Sequence, residues 1–161
     1  MRVSYSGIKE TIKHLEDIRK KLGEDKLHSA LQRLAEKGYQ IASAGFNSAM
    51  FDGTNDVQVN IVWESENVVT LVASGQSVLF IEFGTGATYG YGHPLAQQYG
   101  YGPGTWSDNE ALGGKGHWND PNGWYYKHNT KSLGNPPARA MYDAFTTMRD
   151  QVEEILREMM E

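Results

Sequence analysis

The chain has 161 residues, of which 39% are hydrophobic and 22% charged, and this length suits one domain that buries its own core. Its formal net charge is −5 and no basic patch is visible, so a nucleic-acid-binding surface is not expected. The absence of cysteine excludes disulfides and thiolate metal sites, and no apolar run approaches the roughly 20 residues that a membrane span needs.

Two helices are predicted in the first third of the chain. Over residues 7–22, apolar residues recur at spacings of four and three, and Gly23 can end this helix in a left-handed conformation. A second helix is predicted over 25–46, with Gly38 and Gly45 on its apolar stripe. Each glycine costs about 1 kcal/mol against alanine inside a helix. We therefore expect these two glycines to allow a close approach of a neighbouring backbone.

A small antiparallel sheet is predicted next, over about residues 56–83. Apolar and polar residues alternate over 57–64, which is typical of a half-buried strand, and "VVTLVA" at 68–73 is the return strand. The run "VLFIEF" at 78–83 is compatible with a third strand or with a short helix, because its pattern distinguishes neither.

The chain ends in a predicted helix over residues 137–160. Asn135 can serve as its N-cap, and Pro136 suits a first helical position. We expect the helix to pack on the core of its own subunit rather than on another one, which makes the fold α+β: two N-terminal helices and a long C-terminal helix on a small antiparallel sheet. The apolar seam of this helix consists of Met141, Phe145, Met148, Val152, Ile155 and Met159.

Residues 84–134 have a composition unlike the rest of the chain. They hold 12 of the 18 glycines and 9 of the 18 aromatic residues, and they contain no Val, Ile, Met or Phe. Such a segment can hardly build an aliphatic core, so it is predicted to be a long ordered loop, with room for a small hairpin, that lies over the domain. Tyrosine and tryptophan combine a large contact area with a polar group and are common anchors at protein interfaces.

An ordered set of short segments in and after this loop resembles a known family. The segments are "FIEFGTG", "HP", "YGPGTWS", "GKGHW", "GWYY" and "GNPPARAMYDAF". Together they resemble the minor tail component, or neck, family of long-tailed bacteriophages, the gene-ten-like family, in which an apolar run ending in Glu-Phe-Gly-Thr precedes a proline-led final helix. The loop over 87–130 is longer than the family pattern needs. The matching positions are Glu82, Phe83, Gly84, Thr85, Gly86, Pro136, Pro137, Ala138, Arg139 and Met141.

The resemblance implies an architectural protein of the virion, made in the cytoplasm of the bacterial host. Such proteins form rings of identical subunits in the head–tail connection or at the tail end, contact other neck and tail proteins, and let DNA pass without specific binding. No catalytic residue, cofactor, metal or membrane is implied. Residues 51–83 carry five acids and no base, so we expect them to face the channel. The expected contacts with a neighbouring subunit are Tyr89, Tyr91, Tyr99, Tyr101, Trp106, Trp118, Trp124 and Tyr125.

Glu82 is the one carboxylate inside the apolar run 78–83. A catalytic acid needs a partner carboxylate, a histidine or a metal. The sequence neighbours of Glu82 supply none, and His93, His117 and His128 are the histidines that the fold could bring close. A buried carboxylate must otherwise accept backbone N–H groups or pair with a cation such as Arg139, and we expect this structural role. The alternative function is a module that binds or hydrolyses cell-wall carbohydrate, with the Tyr/Trp loop as its platform and Glu82 and Asp108 as its carboxylates.

Other sites have weaker support in the sequence. His93, His117 and His128 are compatible with a zinc ion, but their spacings match no compact ligand motif. The glycine runs at 84–86 and 113–116 match neither a P-loop nor a dinucleotide-binding spacing. We therefore expect no catalytic, cofactor or metal site.

Overall fold

A long helical segment, α1 (Ser6–Asn47), is the first element of the structure. The structure is a computed structural model that describes residues 6–89, 92–99, 121–126 and 130–160. Helix α1 is interrupted at Gly23, whose φ of 72° and ψ of 163° are not helical, so helical residues lie on both sides of this glycine. The predicted number of N-terminal helices stays a prediction. The interruption lies at the predicted end of the first helix, because glycine adopts a positive φ without a Cβ clash.

The predicted hairpin is confirmed as an antiparallel pair of strands. Strand β1 (Gln58–Ser65) pairs with β2 (Val68–Ser74), with an irregularity in the register between Trp63 and Ser65. Burial alternates along β1, so its inner side chains face the body and its outer ones face solvent. Near the tip, the ring of Trp63 stacks on His28 of α1, with ring centroids 4.2 Å apart.

The sheet ends at Ser74, and the predicted sheet boundary at residue 83 is wrong. Residues Val78–Phe83 form a short helix, α2. A hydrogen-bonded turn directs the chain into this helix. The Asp56 carboxylate accepts the backbone N–H groups of Gln76 at 2.8 Å and Ser77 at 2.9 Å, and the Ser77 hydroxyl also donates to it. These donors precede α2 and hold the chain in a turn. Because of this turn, strand β2 does not continue into residues 78–83.

The same hydrogen bonds make the stability of this turn depend on pH. The Ser77 hydroxyl, followed by the N–H groups of Gln76 and Ser77, lowers the pKa of Asp56 from 3.8 to about 2. A lowered pKa in the folded state stabilises the fold above pH 3.8, and this contribution is lost as the pH falls from about 4 to about 2. In Asp56→Asn, denaturant unfolding measured between pH 2 and 7 should show reduced stability at neutral pH and a smaller loss below pH 4. Parallel curves for the variant and the wild type would contradict this account.

The C-terminal helix, α5 (Ala140–Met160), begins three residues after its predicted start. Pro136 therefore does not occupy a first helical position, and Asn135 is not the N-cap. Arg139, directly before the helix, has a φ of 54°. This positive φ separates the extended proline segment from the helix, which explains why α5 does not start at the prolines.

Helices α1 and α5 pack against each other in antiparallel directions. Gly45 lies beside Ala140, and a Cβ atom built on this glycine would be 2.7 Å from the Ala140 Cβ atom. Nearer the other end of α5, Arg33 and Glu158 form an ion pair at 2.8 Å. A Cβ atom on Gly38 would likewise overlap the side chain of Met148. The close backbone approach predicted from the two glycines is therefore confirmed at Gly45, whereas at Gly38 the close neighbour is the side chain of Met148.

This close packing selects small residues for the buried face of α5. Ala140 and Ala144 are almost fully buried, whereas Phe145 of the predicted seam keeps 59% of its surface exposed. The seam prediction is therefore wrong at Phe145, because a contact line built on glycine and alanine rotates the bulky side chain outward. The first turn of α5 and the sheet both contribute to the core. The core consists of Phe46, Ile81 and Ala140, with Ala49, Phe51, Val57, Val59, Ala73, Val78, Ala138 and Met141 packed around them. The predicted α+β class is confirmed.

Among the described residues of the glycine- and aromatic-rich segment and its end, four short elements occur. Helices α3 (Gly86–Tyr89) and α4 (Ala96–Tyr99) follow α2. A small hairpin of β3 (Trp124–Tyr126) and β4 (Thr130–Ser132) follows, with Trp124 opposite Ser132. Within the described ranges, no helix is both long enough and apolar enough to cross a membrane.

Candidate functional site

The motif residues of both segments meet in one place, where the end of α2 lies against the chain that leads into α5. We call residues 81–86 and 134–142 together the joint. Thr85 and Asn135 exchange two backbone hydrogen bonds, with N···O distances of 2.9 and 3.2 Å, as residues of paired antiparallel strands do. The backbone N–H of Ala138 donates to the carbonyl oxygen of Ile81 at 2.8 Å. The last carbonyl groups of a helix have no partner inside it, so the second segment completes the end of α2.

Two glycines let the segments of the joint approach this closely. Gly84 has a φ of 75°, and a Cβ atom there would be 2.7 Å from the backbone nitrogen of Pro137. Gly134 has a φ of 94°, and a Cβ atom there would overlap the carbonyl oxygen of Thr85. Both positions combine a backbone conformation that favours glycine with a space that excludes a side chain. The Gly-Thr-Gly motif and the "GNPP" motif are therefore two halves of one contact.

The Glu82 carboxylate binds the N-terminus of α5 across the joint. Only 5% of Glu82 is exposed, and its Oε2 atom accepts the backbone N–H of Met141 at 2.9 Å while its Oε1 atom accepts that of Tyr142 at 3.0 Å. The first N–H groups of a helix lack intrahelical partners, and the helix dipole favours an anion there. Of the two structural partners left open by the sequence, the backbone N–H groups are the ones that bind Glu82.

Arg139 does not form the alternative ion pair with Glu82. Its side chain is exposed, and its backbone N–H donates to the carbonyl oxygen of Glu82 at 3.2 Å. The residue thus contributes to the joint through its main chain.

His93, one of the three histidines that the fold could bring close to Glu82, is the third donor to its carboxylate. Its Nε2 atom lies 3.2 Å from Oε1 of Glu82, and its Nδ1 atom accepts the backbone N–H of Leu95 at 3.0 Å. A ring nitrogen that accepts an N–H bond carries no proton, so the proton of a neutral imidazole lies on Nε2 and points at Glu82. The ring also contacts Phe83, with centroids 4.3 Å apart, and Tyr142, with centroids 5.4 Å apart. The sequence did not distinguish His93 from His117 and His128 as the partner of Glu82, apart from its place in the "HP" segment of the resemblance.

Asn135 ties the joint to the loop that follows α1. Its side-chain Nδ2 atom donates to the Thr85 hydroxyl at 3.1 Å and to the Asp52 carboxylate at 3.2 Å. Its Oδ1 atom accepts the backbone N–H of Asp52 at 3.0 Å. Asn135 therefore uses its side chain for contacts across the fold, which explains why it does not cap α5.

The geometry of Glu82 is unsuited to acid–base catalysis. Both carboxylate oxygens accept N–H groups, and the side chain is buried among the segments that it holds together. The nearest surface depression, lined by Gly92, His93, Pro94, Ala96 and Gln97, measures about 220 Å³, less than the roughly 300 Å³ at the lower end of ligand pockets. This depression therefore gives a substrate little to bind.

Nor does the described part of the chain offer a metal site. Within the described ranges, no group of three His, Asp or Glu side chains is arranged to hold a metal ion. Of the three histidines considered for zinc, only His93 lies in these ranges, and both of its ring nitrogens already have partners. His117, His128 and the Asp108 of the carbohydrate alternative fall outside them.

The aromatic contacts expected with a neighbouring subunit are described only in part. Tyr89, at the end of α3, keeps 36% of its surface exposed. The backbone positions of Tyr99, Trp124 and Tyr125 lie in α4 and β3, whereas Tyr91, Tyr101, Trp106 and Trp118 fall outside the described residues. These interface assignments stay predictions.

Comparison of the chain with known proteins adds no further identification. No protein-family model matches the chain, and neither the curated proteins nor the solved structures give a significant match. The likeness to phage tail components therefore rests on the sequence segments themselves, of which the Glu-Phe-Gly-Thr-Gly and proline-led segments lie in the joint.

Proposed function

We propose that the chain is a structural subunit of the neck or tail end of a bacteriophage or prophage, and that identical copies assemble as a ring in the head–tail connection or in tail completion. The observation that carries this proposal is the joint itself. Glu82, the most conspicuous polar residue of the motif, accepts three N–H donors in a buried position. A motif whose carboxylate holds elements together suits a protein that works through its shape.

The joint also suits a subunit that must present its surfaces in a fixed arrangement. It connects α2, the first turn of α5 and the loop at Asp52, through backbone pairing at Thr85 and side-chain bonds at Asn135. Elements that are fixed before assembly lose little conformational entropy when copies associate. The proposed partners are further copies of the chain and the adjoining neck and tail proteins, and DNA passes through the ring without specific binding.

The expected acidic lining of the channel contains fewer acidic residues than the composition of residues 51–83 indicates. Of the five acids in residues 51–83, Glu82 is buried, Asp56 accepts bonds from the turn before α2, and Asp52 binds Asn135. Glu64 and Glu66, at the tip of the hairpin, are exposed. Asp52 and Asp56 are exposed as well, so in our proposal four of the five acids are available to a channel, and Glu64 and Glu66 are also available to another subunit.

Particle production in a host of the phage tests this function. A tagged copy of the chain should sediment with complete particles, and gold-labelled antibody against the tag should mark the head–tail junction or the tail end in electron micrographs. The purified protein, incubated with tails that lack it, should add a ring to them. A tagged chain that is absent from particles, and that instead binds purified peptidoglycan or releases soluble sugar from it, would overturn the proposal in favour of the carbohydrate alternative.

A further inference from the structure

We propose that neighbouring copies join head to tail, with the joint of one copy bound to the hairpin tip of the next. This inference rests on the proposed ring and names the surfaces that form it. One surface, the joint end, carries Arg139 and exposed apolar side chains. The other, the hairpin end, carries two carboxylates and exposed valines. The joint end consists of Met50, Leu133, Arg139 and Phe145, and the hairpin end consists of Val62, Glu64, Glu66 and Val68.

Arg139 is the centre of the joint end. Its φ of 54° is costly for a residue with a Cβ atom, whereas a glycine at this position would adopt the same φ without that cost. The main chain is fixed on both sides, because its N–H donates to Glu82 and its carbonyl oxygen accepts the N–H of Asp143 at 2.8 Å. Within the described residues its guanidinium makes no hydrogen bond and no ion pair. A cation held in this conformation, with no partner among the residues that the structure describes, is available to a partner in another chain.

Exposed apolar side chains occur at the same end of the body. Met50 keeps 72% of its surface exposed, and Leu133 and Phe145 each keep 59%. Leu133 lies two residues before Asn135, and Met50 lies two residues before Asp52, whose N–H is bonded to Asn135. Phe145 follows Arg139 by less than two turns of α5. Exposed apolar side chains on the segments that flank a charge are typical of a surface that another protein covers.

The hairpin end has the complementary chemistry. Glu66 lies in the turn between β1 and β2, is exposed, and makes no hydrogen bond or ion pair within the described residues. Glu64 is also exposed and accepts the Thr70 hydroxyl at 2.6 Å. Beside them, Val62 and Val68 keep 43% and 46% of their surfaces exposed. An exposed valine group next to two carboxylates matches an exposed apolar group next to an arginine.

The two ends cannot meet within one copy. Trp63, near the hairpin tip, stacks on His28, whereas Gly45 of the same helix lies beside Ala140 at the joint. At 1.5 Å per residue, these two points of α1 are roughly 25 Å apart. A contact between unlike surfaces at opposite ends of identical subunits is heterologous, and such contacts close into rings when the rotation allows. Because both complementary surfaces belong to this chain, we assign the contact to a second copy of it.

Disulfide trapping tests the contact, since the chain has no cysteine of its own. Glu66→Cys and Arg139→Cys are purified separately, mixed and oxidised. The mixed dimer should form about 10-fold faster than with Glu153→Cys in place of Arg139→Cys, because a preformed contact raises the effective concentration of the thiols. Glu153 is an exposed control on α5, away from the joint. Leu133→Cys replaces Arg139→Cys in a second arm, so that a folding defect of the arginine variant does not decide the result.

The possible outcomes test the head-to-tail contact and the proposed function separately. Fast trapping in either arm, together with rings on tails, supports both. Rings on tails with trapping no faster than the control would overturn the head-to-tail contact and leave the proposed function standing. Fast trapping in a protein that never joins particles would support the contact and reject the neck function. Slow trapping without rings rejects both.

Discussion

Replacing Glu82 with alanine should lower the free energy of unfolding by roughly 3–5 kcal/mol, the usual loss when one member of a buried charged network is removed. The variant leaves the backbone N–H groups of Met141 and Tyr142 and the Nε2–H of His93 without their acceptor in a buried site. The start of α5 should be affected most, because those N–H groups have no intrahelical alternative. Denaturant unfolding followed by circular dichroism measures the loss, and hydrogen exchange at the first turn of α5 locates it.

Two matched variants serve as controls. One removes the charge of Glu82 but keeps its shape, and the other removes an exposed carboxylate of α5. Glu82→Gln keeps one carbonyl oxygen but turns an NH₂ group toward an N–H donor, so we expect a smaller loss of about 1–3 kcal/mol. Glu153→Ala removes an exposed carboxylate from α5 and should change stability by no more than about 0.5 kcal/mol. A Glu82→Ala protein of unchanged stability that lacked a catalytic turnover of the wild type would show that the carboxylate is catalytic.

Gly134→Ala should cost roughly 3 kcal/mol or more, because the new Cβ atom would overlap the carbonyl oxygen of Thr85. The overlap is with backbone rather than with a flexible side chain, so the paired segments of the joint must separate. The expected readout is a lower midpoint of unfolding together with weaker protection of the Thr85 and Asn135 amides from exchange.

Gly23→Ala is the control that measures the cost of a positive φ without a steric overlap. Gly23 also has a positive φ, 72° against 94° at Gly134, but a Cβ atom there would meet nothing within 4 Å. Its substitution should cost about 1 kcal/mol, the usual penalty of a positive φ for a residue with a Cβ atom. Equal losses in the two variants would contradict the rigid pairing of Thr85 with Asn135.

The elements that the sequence predicted well are those whose evidence is local. The hairpin of β1 and β2 follows from a period of two over a few residues, with Glu66 and Asn67 in its turn. The close packing of α1 on α5 follows from Gly38 and Gly45, since a glycine on the apolar stripe of a helix needs a reason. The structural role of Glu82 follows from the cost of burying an unpaired carboxylate.

The error at the start of α5 arose because a residue remote in sequence supplied a partner. The start of α5 was predicted too early, because Asn135 and Pro136 are good local signals for a helix N-terminus. The N–H groups at that N-terminus are instead bound by Glu82, 59 positions before Met141 and 60 before Tyr142. Local signals contain no information about an acceptor at that separation.

The sequence by itself therefore determined the α+β class, the hairpin, the close helix contact and the need for a partner at Glu82, because each depends on periodicity or on the cost of a residue in its own position. Only the tertiary structure decided which groups meet Glu82, that Asn135 binds Thr85 and Asp52, and that Phe145 faces outward. These depend on how α2, α5 and the loop after α1 are brought together, and packing rather than local preference sets that arrangement.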